Sequence, residues 1–449
     1  MREGLSSPAR RGSAWLRTLL ISVLATLYPF HHLLVSLNAN VSMGDGVVAL
    51  IALIVVFQFA AGAVPVPRYG TQAAALLIAI VASITVNAFI PSQFFSLRDA
   101  QIEALKFLGV ATWMIAVFWL VSDEFPRRYV QWTATSLVIA TGFAIWTVIE
   151  NVVLHAVARP SGPFDNPNLY ANYLILNVFL ALGLSRLVSE HANGVPPTPR
   201  ARGRVQTVLR VAVVPVLVLG LLSTGSRGGL LGFLAGLAVA VRWRLPQISL
   251  RRAVAFAVSA VILGGALGWF FSHHPFLVNR MEAVSAIDPN VTSRFALWRA
   301  ARHAFYANPV FGIGYGQFPG YGAHEEGLGA FAAVSHQTYL SAAAELGILG
   351  LAALLWLLVS VIRDAGRMSA RTGSMVPRAF GGFVTATAVQ GFFNNVDQFR
   401  SLWITFGLAA AAMAYFSARG MSPSRPAPAS SGEMPSRRAV RQPRWARTI

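Results

Sequence analysis

The amino-acid sequence predicts an all-α polytopic membrane protein with about twelve transmembrane helices and one large loop outside the membrane. Three observations predict it. Hydrophobic residues make up 55% of the 449 positions and charged residues only 12%, with a mean hydropathy of +0.56. A soluble chain carries about twice that share of charge. Apolar runs of roughly 18 residues or more recur, each long enough to cross a hydrocarbon core of about 30 Å. Finally, the basic residues concentrate on one of the two sides that such spans define. Backbone polar groups in lipid must be satisfied within the segment, so the runs fold as helices. A transmembrane barrel would need alternating segments of about ten residues, and these runs do not alternate.

The spans fall near 15–37, 46–66, 71–91, 103–122, 129–152, 168–189, 205–223, 227–243, 252–272, 337–362, 379–395 and 400–418. The first follows Arg2, Arg10 and Arg11; its apolar run is long and no small-residue cleavage site ends it, so it reads as a retained signal anchor. The chain divides into a basic cytoplasmic N-terminus (1–14), a membrane domain (15–418) that includes a periplasmic loop (272–335), and a Pro/Ser/Arg-rich, disordered cytoplasmic tail (419–449).

With the N-terminus in the cytoplasm, 27 of the 36 Lys and Arg residues fall on the cytoplasmic side, as the positive-inside rule requires. An even number of spans puts the C-terminus there too. Only Arg98, Lys106, Arg159, Arg227, Arg280, Arg294, Arg299, Arg302 and Arg400 remain outside. Topology does not explain these nine. The net charge of +19 sits in short loops and the tail, where it meets membrane lipids, and is no nucleic-acid signature. The chain has no cysteine, which excludes disulfides, thiol nucleophiles and Cys-bound metals.

Residues that can carry chemistry cluster on the outer side. Arg227 lies in the tight turn Ser223-Thr224-Gly225-Ser226-Arg227-Gly228-Gly229. There its planar fork can meet a phosphate or carboxylate, or simply snorkel to the interface. Arg294 lies near the start of an amphipathic segment, residues 291–306, with Phe295, Trp298 and Phe305 on one side and Arg294 mostly off it; the segment reads as a helix lying in the interface and ending at Asn308-Pro309. Arg299 and Arg302 read as headgroup anchors. Gly312-Ile313-Gly314-Tyr315-Gly316 reads as a flexible turn returning the loop to the membrane, since no strand precedes it and no Gly-Lys-Ser follows.

His336 opens the tenth span and can accept a proton from a hydroxyl, although a lone histidine is more often structural. Glu345, nine residues on, is out of phase with it on a helix. An ionisable group in hydrocarbon is costly, which makes Glu345 a functional or packing candidate. Gly347 and Gly350 have close helix packing as their simplest role. Asn166 can cap the sixth span with Pro167 at its first position, leaving Asn168 and Asn172 one turn apart on one face. Asn394-Asn395-Val396-Asp397-Gln398-Phe399-Arg400 concentrates amides, a carboxyl and an arginine in an outer turn.

Taken together, Gly162-Pro163-Phe164-Asp165-Asn166-Pro167-Asn168, Ser226-Arg227-Gly228-Gly229, Ser293-Arg294 before Trp298, Asn308-Pro309 through Gly314, and His336-Gln337 followed by Leu340, Glu345, Leu346, Gly347 and Gly350 resemble the O-antigen ligase family of bacterial membrane glycosyltransferases. That family includes O-antigen polymerases and protein O-oligosaccharyltransferases. The likeness runs from about residue 160 to 410. One departure is Gln337, where the family more usually has asparagine; the amide is kept.

The resemblance implies a GT-C-type fold in the bacterial inner membrane, with short interfacial helices in the periplasmic loop. It also implies a donor glycan on undecaprenyl pyrophosphate and metal-independent transfer without a cofactor. Its essential residues carry over to Arg227, Arg294 and His336, with Asn168, Asn172, Glu345, Asn395, Asp397 and Arg400 as substrate-binding candidates. The residues agree on the chemistry: guanidinium forks suit a pyrophosphate leaving group, and the outer side shows no compact Asp/Glu cluster for magnesium or manganese. The acceptor is lipid A–core for a ligase, a glycan for an O-antigen or exopolysaccharide polymerase, or Ser/Thr for a protein transferase. A lipid-linked-glycan transporter is the reading from a different class. It would place ionisable groups near the span centres and show inverted repeats, whereas here the polar residues gather on one side.

Overall fold

The computed structural model describes residues 8–30, 43–62, 66–90, 95–152, 159–164, 166–190, 199–242, 289–325 and 334–420. The expected ninth span (252–272) and nearly all of the C-terminal tail lie outside the described residues. Among the described residues every regular element is a helix: α1 (Pro8–Leu27), α2 (Met43–Ala60), α3 (Gly70–Phe89), α4 (Leu97–Ser122), α5 (Phe125–Val152), α6 (Pro167–Glu190), α7 (Pro199–Val208), α8 (Val214–Ser223), α9 (Arg227–Arg242), α10 (Pro289–Ala307), α11 (Phe318–Glu325), α12 (Thr338–Thr372), α13 (Met375–Gln390) and α14 (Arg400–Gly420). A short π-helical turn, Leu209–Val213, joins α7 to α8, so they run on as one rod.

Seven of the described helices are long and apolar enough to cross a membrane: α3, α4, α5, α6, the α7–α8 rod, α12 and α14. The apolar parts of α1, α2 and α9 are shorter. Exposed Leu, Ile, Val and Phe side chains dot α2, α3 and α5, as expected of helices whose outer faces meet lipid rather than water.

The interior is built around α6 and α14, the most fully buried of these helices. Tyr170, Tyr173 and Phe179 of α6 and Trp403 and Phe406 of α14 are buried in one core. Polar groups inside the core are paired across helices: Ser136 Oγ donates to Asn177 Oδ1 at 2.7 Å, and Thr147 and Tyr170 share a hydrogen bond of 2.9 Å. Such bonds tie helices together where lipid supplies no hydrophobic drive.

The most extensive pairing is α9 against α13. Its cause is a stripe of glycines on α9, spaced four residues apart. A Cβ at Gly228 would lie 2.9 Å from Phe393 Cβ, one at Gly232 2.3 Å from Ala386 O, and one at Gly236 2.3 Å from Gly382 O. Only hydrogen at these positions lets the two backbones meet.

The connections gather at two ends of the bundle. At one end Arg17 pairs with Asp123 and Arg68 Nε with Asp364 at 2.7 Å. At the other, Arg159 Nε donates to Thr224 O, Ser226 Oγ to Asn168 Oδ1, and Gln317 accepts from Ser96 N. Polar bonds at both ends close off a bundle whose middle is held mainly by apolar packing.

Two elements differ in detail from the sequence reading. Helix α10 docks through Leu297, Ala300, Ala301 and Ala304, which pack with Ile313, Phe318 and Ala344. Its aromatic residues Phe295 and Tyr306 stay exposed. The small-residue face is the one that fits closely against α12, while of the expected aromatic face Phe295 is exposed and Trp298 and Phe305 are half-buried. The segment 308–316 is not a free turn. It is wedged into a break in α12, where Gly347 leaves helical geometry (φ 65°, ψ −163°). There Ile348 N donates to Pro309 O at 2.8 Å, Ile313 N to Ala344 O at 2.9 Å, and Asn87 Nδ2 to Gly312 O at 3.1 Å. The loop thus supplies partners for backbone groups freed by the break. Gly347 serves this conformation, which glycine adopts readily, rather than helix-on-helix packing.

Candidate functional site

The turn after α13, residues 391–396, is the hub of the site. Thr338, the first residue of α12, grips it: Thr338 N donates to Gly391 O at 2.8 Å, Thr338 Oγ1 to Asn394 O at 2.7 Å, and Val396 N to Thr338 Oγ1 at 2.9 Å. The α12 start is capped by Gln337, whose side chain accepts from Leu340 N. His336 is thereby held just before the cap, two residues from the Thr338 that grips the hub. Its φ of 53° is the only positive value at a non-glycine among the described residues. Such a conformation costs on the order of 1–3 kcal/mol and persists where the surroundings over-determine it, commonly at functional sites.

The segments that carry both candidate arginines meet the same turn. Arg294 Nη1 donates to Phe393 O at 3.2 Å. Arg227 is the first residue of α9, in a turn that Ser226 caps by accepting from Gly229 N at 3.2 Å. The glycine stripe brings that helix start against Phe393 and Asn394. The Arg294 guanidinium, the helix start at Arg227-Gly228 and the segment His336–Thr338, far apart in sequence, therefore meet at one turn.

Burial, and next the positive charge of Arg294, hold the His336 imidazole below its ordinary value. It is neutral at neutral pH and keeps a lone pair for a proton. Unlike a histidine paired with a carboxylate, it faces cationic surroundings suited to an anionic leaving group.

Behind the α12 start lies a half-enclosed cavity of about 350 Å³. Ser341, Glu345, Asn395 and Asp397 line it, with Glu103 and Lys106 from α4 and Tyr315 and Gln398 opposite. Lys106 Nζ donates to Glu103 Oε1 at 2.6 Å, and Gln398 Nε2 to Glu103 Oε2 at 3.3 Å. Glu345 Oε1 accepts from Phe318 N at 3.1 Å, which ties α11 to α12. Burial pushes the Asp397 carboxyl up to about 6; its own backbone N–H opposes the rise and the Glu103 charge adds to it. Burial also raises the Tyr315 phenol, with Asp397 and Glu345 contributing.

The remaining candidates are used inside the protein. Asn172 is fully buried; its Nδ2 donates to Thr387 Oγ1 and Gln390 Oε1, and its Oδ1 accepts from Ser401. Arg400 forms a buried two-pronged ion pair with Asp45, with Nε to Oδ1 at 2.7 Å and Nη2 to Oδ2. Asp45 also accepts from Trp113 Nε1 at 2.8 Å. Asn168 Oδ1 accepts from Ser226 Oγ and Arg159 Nη2, so it braces the Arg227 turn. Asn166 accepts from Asn168 N at 2.8 Å ahead of Pro167, the helix start read from the sequence.

Glu103 and Tyr315 are additions of the structure, whereas Lys106 and Gln398 stand in the sequence only as one of nine outer cations and as part of the polar turn 394–400. The signal for two of them was present: Glu103 and Lys106 are ionisable groups three residues apart, next to the point where α4 becomes apolar from Phe107 on. The α9 glycine stripe was equally readable. Among the described residues no group of three or more His, Asp or Glu is arranged to hold a metal ion.

A search of curated proteins found no match to this chain. A family model described as O-antigen ligase matches residues 212–355, the stretch that contains Arg227, Arg294, His336 and the Gly347 break. The chain is thus similar to O-antigen ligases over this region, and seven of its described helices are long and apolar enough to cross a membrane.

Proposed function

We propose that this protein transfers a glycan from undecaprenyl pyrophosphate to an acceptor hydroxyl at the periplasmic face of the bacterial inner membrane. The reading includes about twelve spans with both termini cytoplasmic. The observation that carries it is the convergence of Arg227, Arg294 and His336 on the turn that holds Phe393 and Asn394.

The acceptor O–H gives its proton to His336 as its oxygen attacks the anomeric carbon. The bond from that carbon to the pyrophosphate oxygen breaks, and its electron pair leaves with the phosphate. Attack from the face opposite the leaving group inverts the anomeric centre. Charge grows on the pyrophosphate as the bond opens, and two fixed guanidinium forks stabilise it more in the transition state than in the ground state. The reaction needs no metal on this account, because the arginines supply the counter-charge. Asn168 positions the Arg227 turn, Asn172 and Arg400 hold α6, α13, α14 and α2 in register, and Glu345, Asn395 and Asp397 face the substrate.

The acceptor favoured is lipid A–core. The test is transfer by purified protein offered a lipid-linked glycan with lipid A–core, free glycan or Ser/Thr peptide acceptors in parallel. Arg227→Ala, Arg294→Ala and His336→Ala should each lower transfer by roughly 100-fold or more while inserting normally. Full activity in any one removes that residue from the mechanism. Loss of activity on EDTA treatment removes the metal-free account, and transport of the lipid-linked glycan without transfer removes the enzyme reading.

A further inference from the structure

The site has two sides of opposite character. On one, Arg227 and Arg294 meet the turn at Phe393 and Asn394. On the other, the cavity behind the α12 start presents the carboxyls of Glu103, Glu345 and Asp397 against a single ammonium, Lys106. The segment that carries His336 borders the cavity on one flank and feels the charge of Arg294 on the other. Ser335 Oγ and Ser341 Oγ share a hydrogen bond of 2.6 Å, and Asn395 Nδ2 donates to Ser341 Oγ at 2.8 Å. Val334 and Ser341 both line the cavity.

Two acceptor atoms of residues that line the cavity, Asn395 Oδ1 and Asp397 Oδ1, are buried with no hydrogen-bond partner among the described residues. Buried polar groups are nearly always satisfied, so a pair of orphaned acceptors beside an open volume marks a place for a donor-bearing ligand. The volume, about 350 Å³, is that of a small-molecule site.

Resting on the transfer reading above, we infer that this cavity receives the acceptor as an uncharged sugar unit, whose hydroxyls donate to Asn395, Asp397 and Glu103. A sugar ring presents neighbouring O–H donors at spacings that a carboxylate can accept in pairs. Lys106 and Gln398 supply donors to ring and hydroxyl oxygens. A pyrophosphate has no donors to offer and would face three carboxyls, so the donor's phosphates are turned away from this side and toward the arginines. The cavity thus orders the two substrates by charge: the anionic leaving group lies on the guanidinium side of His336 and the hydroxyl nucleophile on the carboxyl side.

The natural absence of cysteine makes a direct test simple. Gln398→Cys in the full chain, reconstituted in lipid nanodiscs, gives one thiol at the cavity. Ala307→Cys, on an exposed position of α10, is the control. Maleimide labelling is followed with lactose, maltose or chitobiose, and separately with inorganic pyrophosphate and undecaprenyl pyrophosphate. At least one neutral disaccharide should slow labelling of the Gln398→Cys protein and not of the Ala307→Cys control, and neither pyrophosphate should slow it in either. Protection by pyrophosphate, protection by none of the sugars, or equal protection of the control overturns the inference.

Asp397→Asn gives a second reading. It should raise the acceptor KM by about tenfold, the worth of one charge-assisted hydrogen bond, with the donor KM unchanged. A rise in donor KM instead, or no change in either, also overturns the inference. The loss of transfer in the arginine variants is independent of these outcomes, so failure here leaves the transfer reading standing.

Discussion

Arg294 Nη1 donates to the main-chain carbonyl of Phe393 at 3.2 Å. This bond ties the first turns of α10 to the turn that follows α13. Because the same turn receives Thr338 and packs against Gly228, a single backbone segment sets the relative positions of Arg294, Arg227 and His336. Geometry at this turn, rather than any one side chain, is what the fold protects.

The α9 stripe is the part of that geometry most open to challenge. A Cβ at Gly232 would sit 2.3 Å from Ala386 O, which is main chain and cannot swing away. Gly232→Val should push α9 off α13 and displace Arg227. The expected outcome is a loss of transfer of roughly 10-fold to 100-fold in a protein that still inserts and retains both arginines and His336.

The charge state of His336 predicts the pH response. Burial and Arg294 favour the neutral imidazole, so its pKa lies below the ordinary value of about 6.5. The neutral form is the base, so transfer falls as pH drops through that lowered value and is flat above it on this limb. The acid limb of the pH–rate profile should therefore have its midpoint below about 6.5. Arg294→Gln removes a repelling charge and should move the midpoint upward in the residual activity.

The backbone at His336 predicts a trade between stability and activity. At φ 53° a glycine has no steric penalty, whereas histidine and alanine do. His336→Gly should unfold at a higher temperature than His336→Ala, by an amount equivalent to about 1 kcal/mol, with transfer absent in both. Equal melting temperatures would show that the local contacts, not the backbone, hold this conformation.

At Gly347 the same logic runs the other way. A Cβ there would lie 2.2 Å from Val310 O, in a backbone of φ 65°. Gly347→Ala should cost on the order of 1–3 kcal/mol or more and loosen the 308–316 loop. Protease accessibility of that loop should rise with the fall in melting temperature.

The two ion pairs of the bundle differ in worth. Asp45→Ala removes the counter-charge of a buried arginine, Arg400, and should cost about 3–5 kcal/mol. Asp364→Ala removes the partner of Arg68, a half-exposed residue, and should cost no more than about 1 kcal/mol. Thermal unfolding in one detergent compares them directly.

Much of the bundle was legible because the periodicity and length of apolar runs are local properties. The start of α6 at Asn166-Pro167 and the end of α10 before Pro309 follow from capping and proline sterics, which act within a few residues. The docking face of α10 was not legible. Both faces carry apolar side chains, and only the shape of α12 selects the alanines. The kink at Gly347 was hidden as well, since glycine in an apolar run signals close packing as readily as a break.

The sequence by itself determined the helical class, the apolar spans, the asymmetry of basic charge and the residue types able to handle a pyrophosphate and a hydroxyl. These rest on the cost of backbone and charge in hydrocarbon, which is set residue by residue. Only the tertiary structure decided that Arg227, Arg294 and His336 share the turn at Phe393 and Asn394, that Asn172 and Arg400 are enclosed by their own partners, and that Glu103 and Lys106 join Asp397 around a cavity. Those arrangements depend on close contacts between residues distant in sequence, where a missing Cβ or a freed carbonyl fixes which surfaces meet.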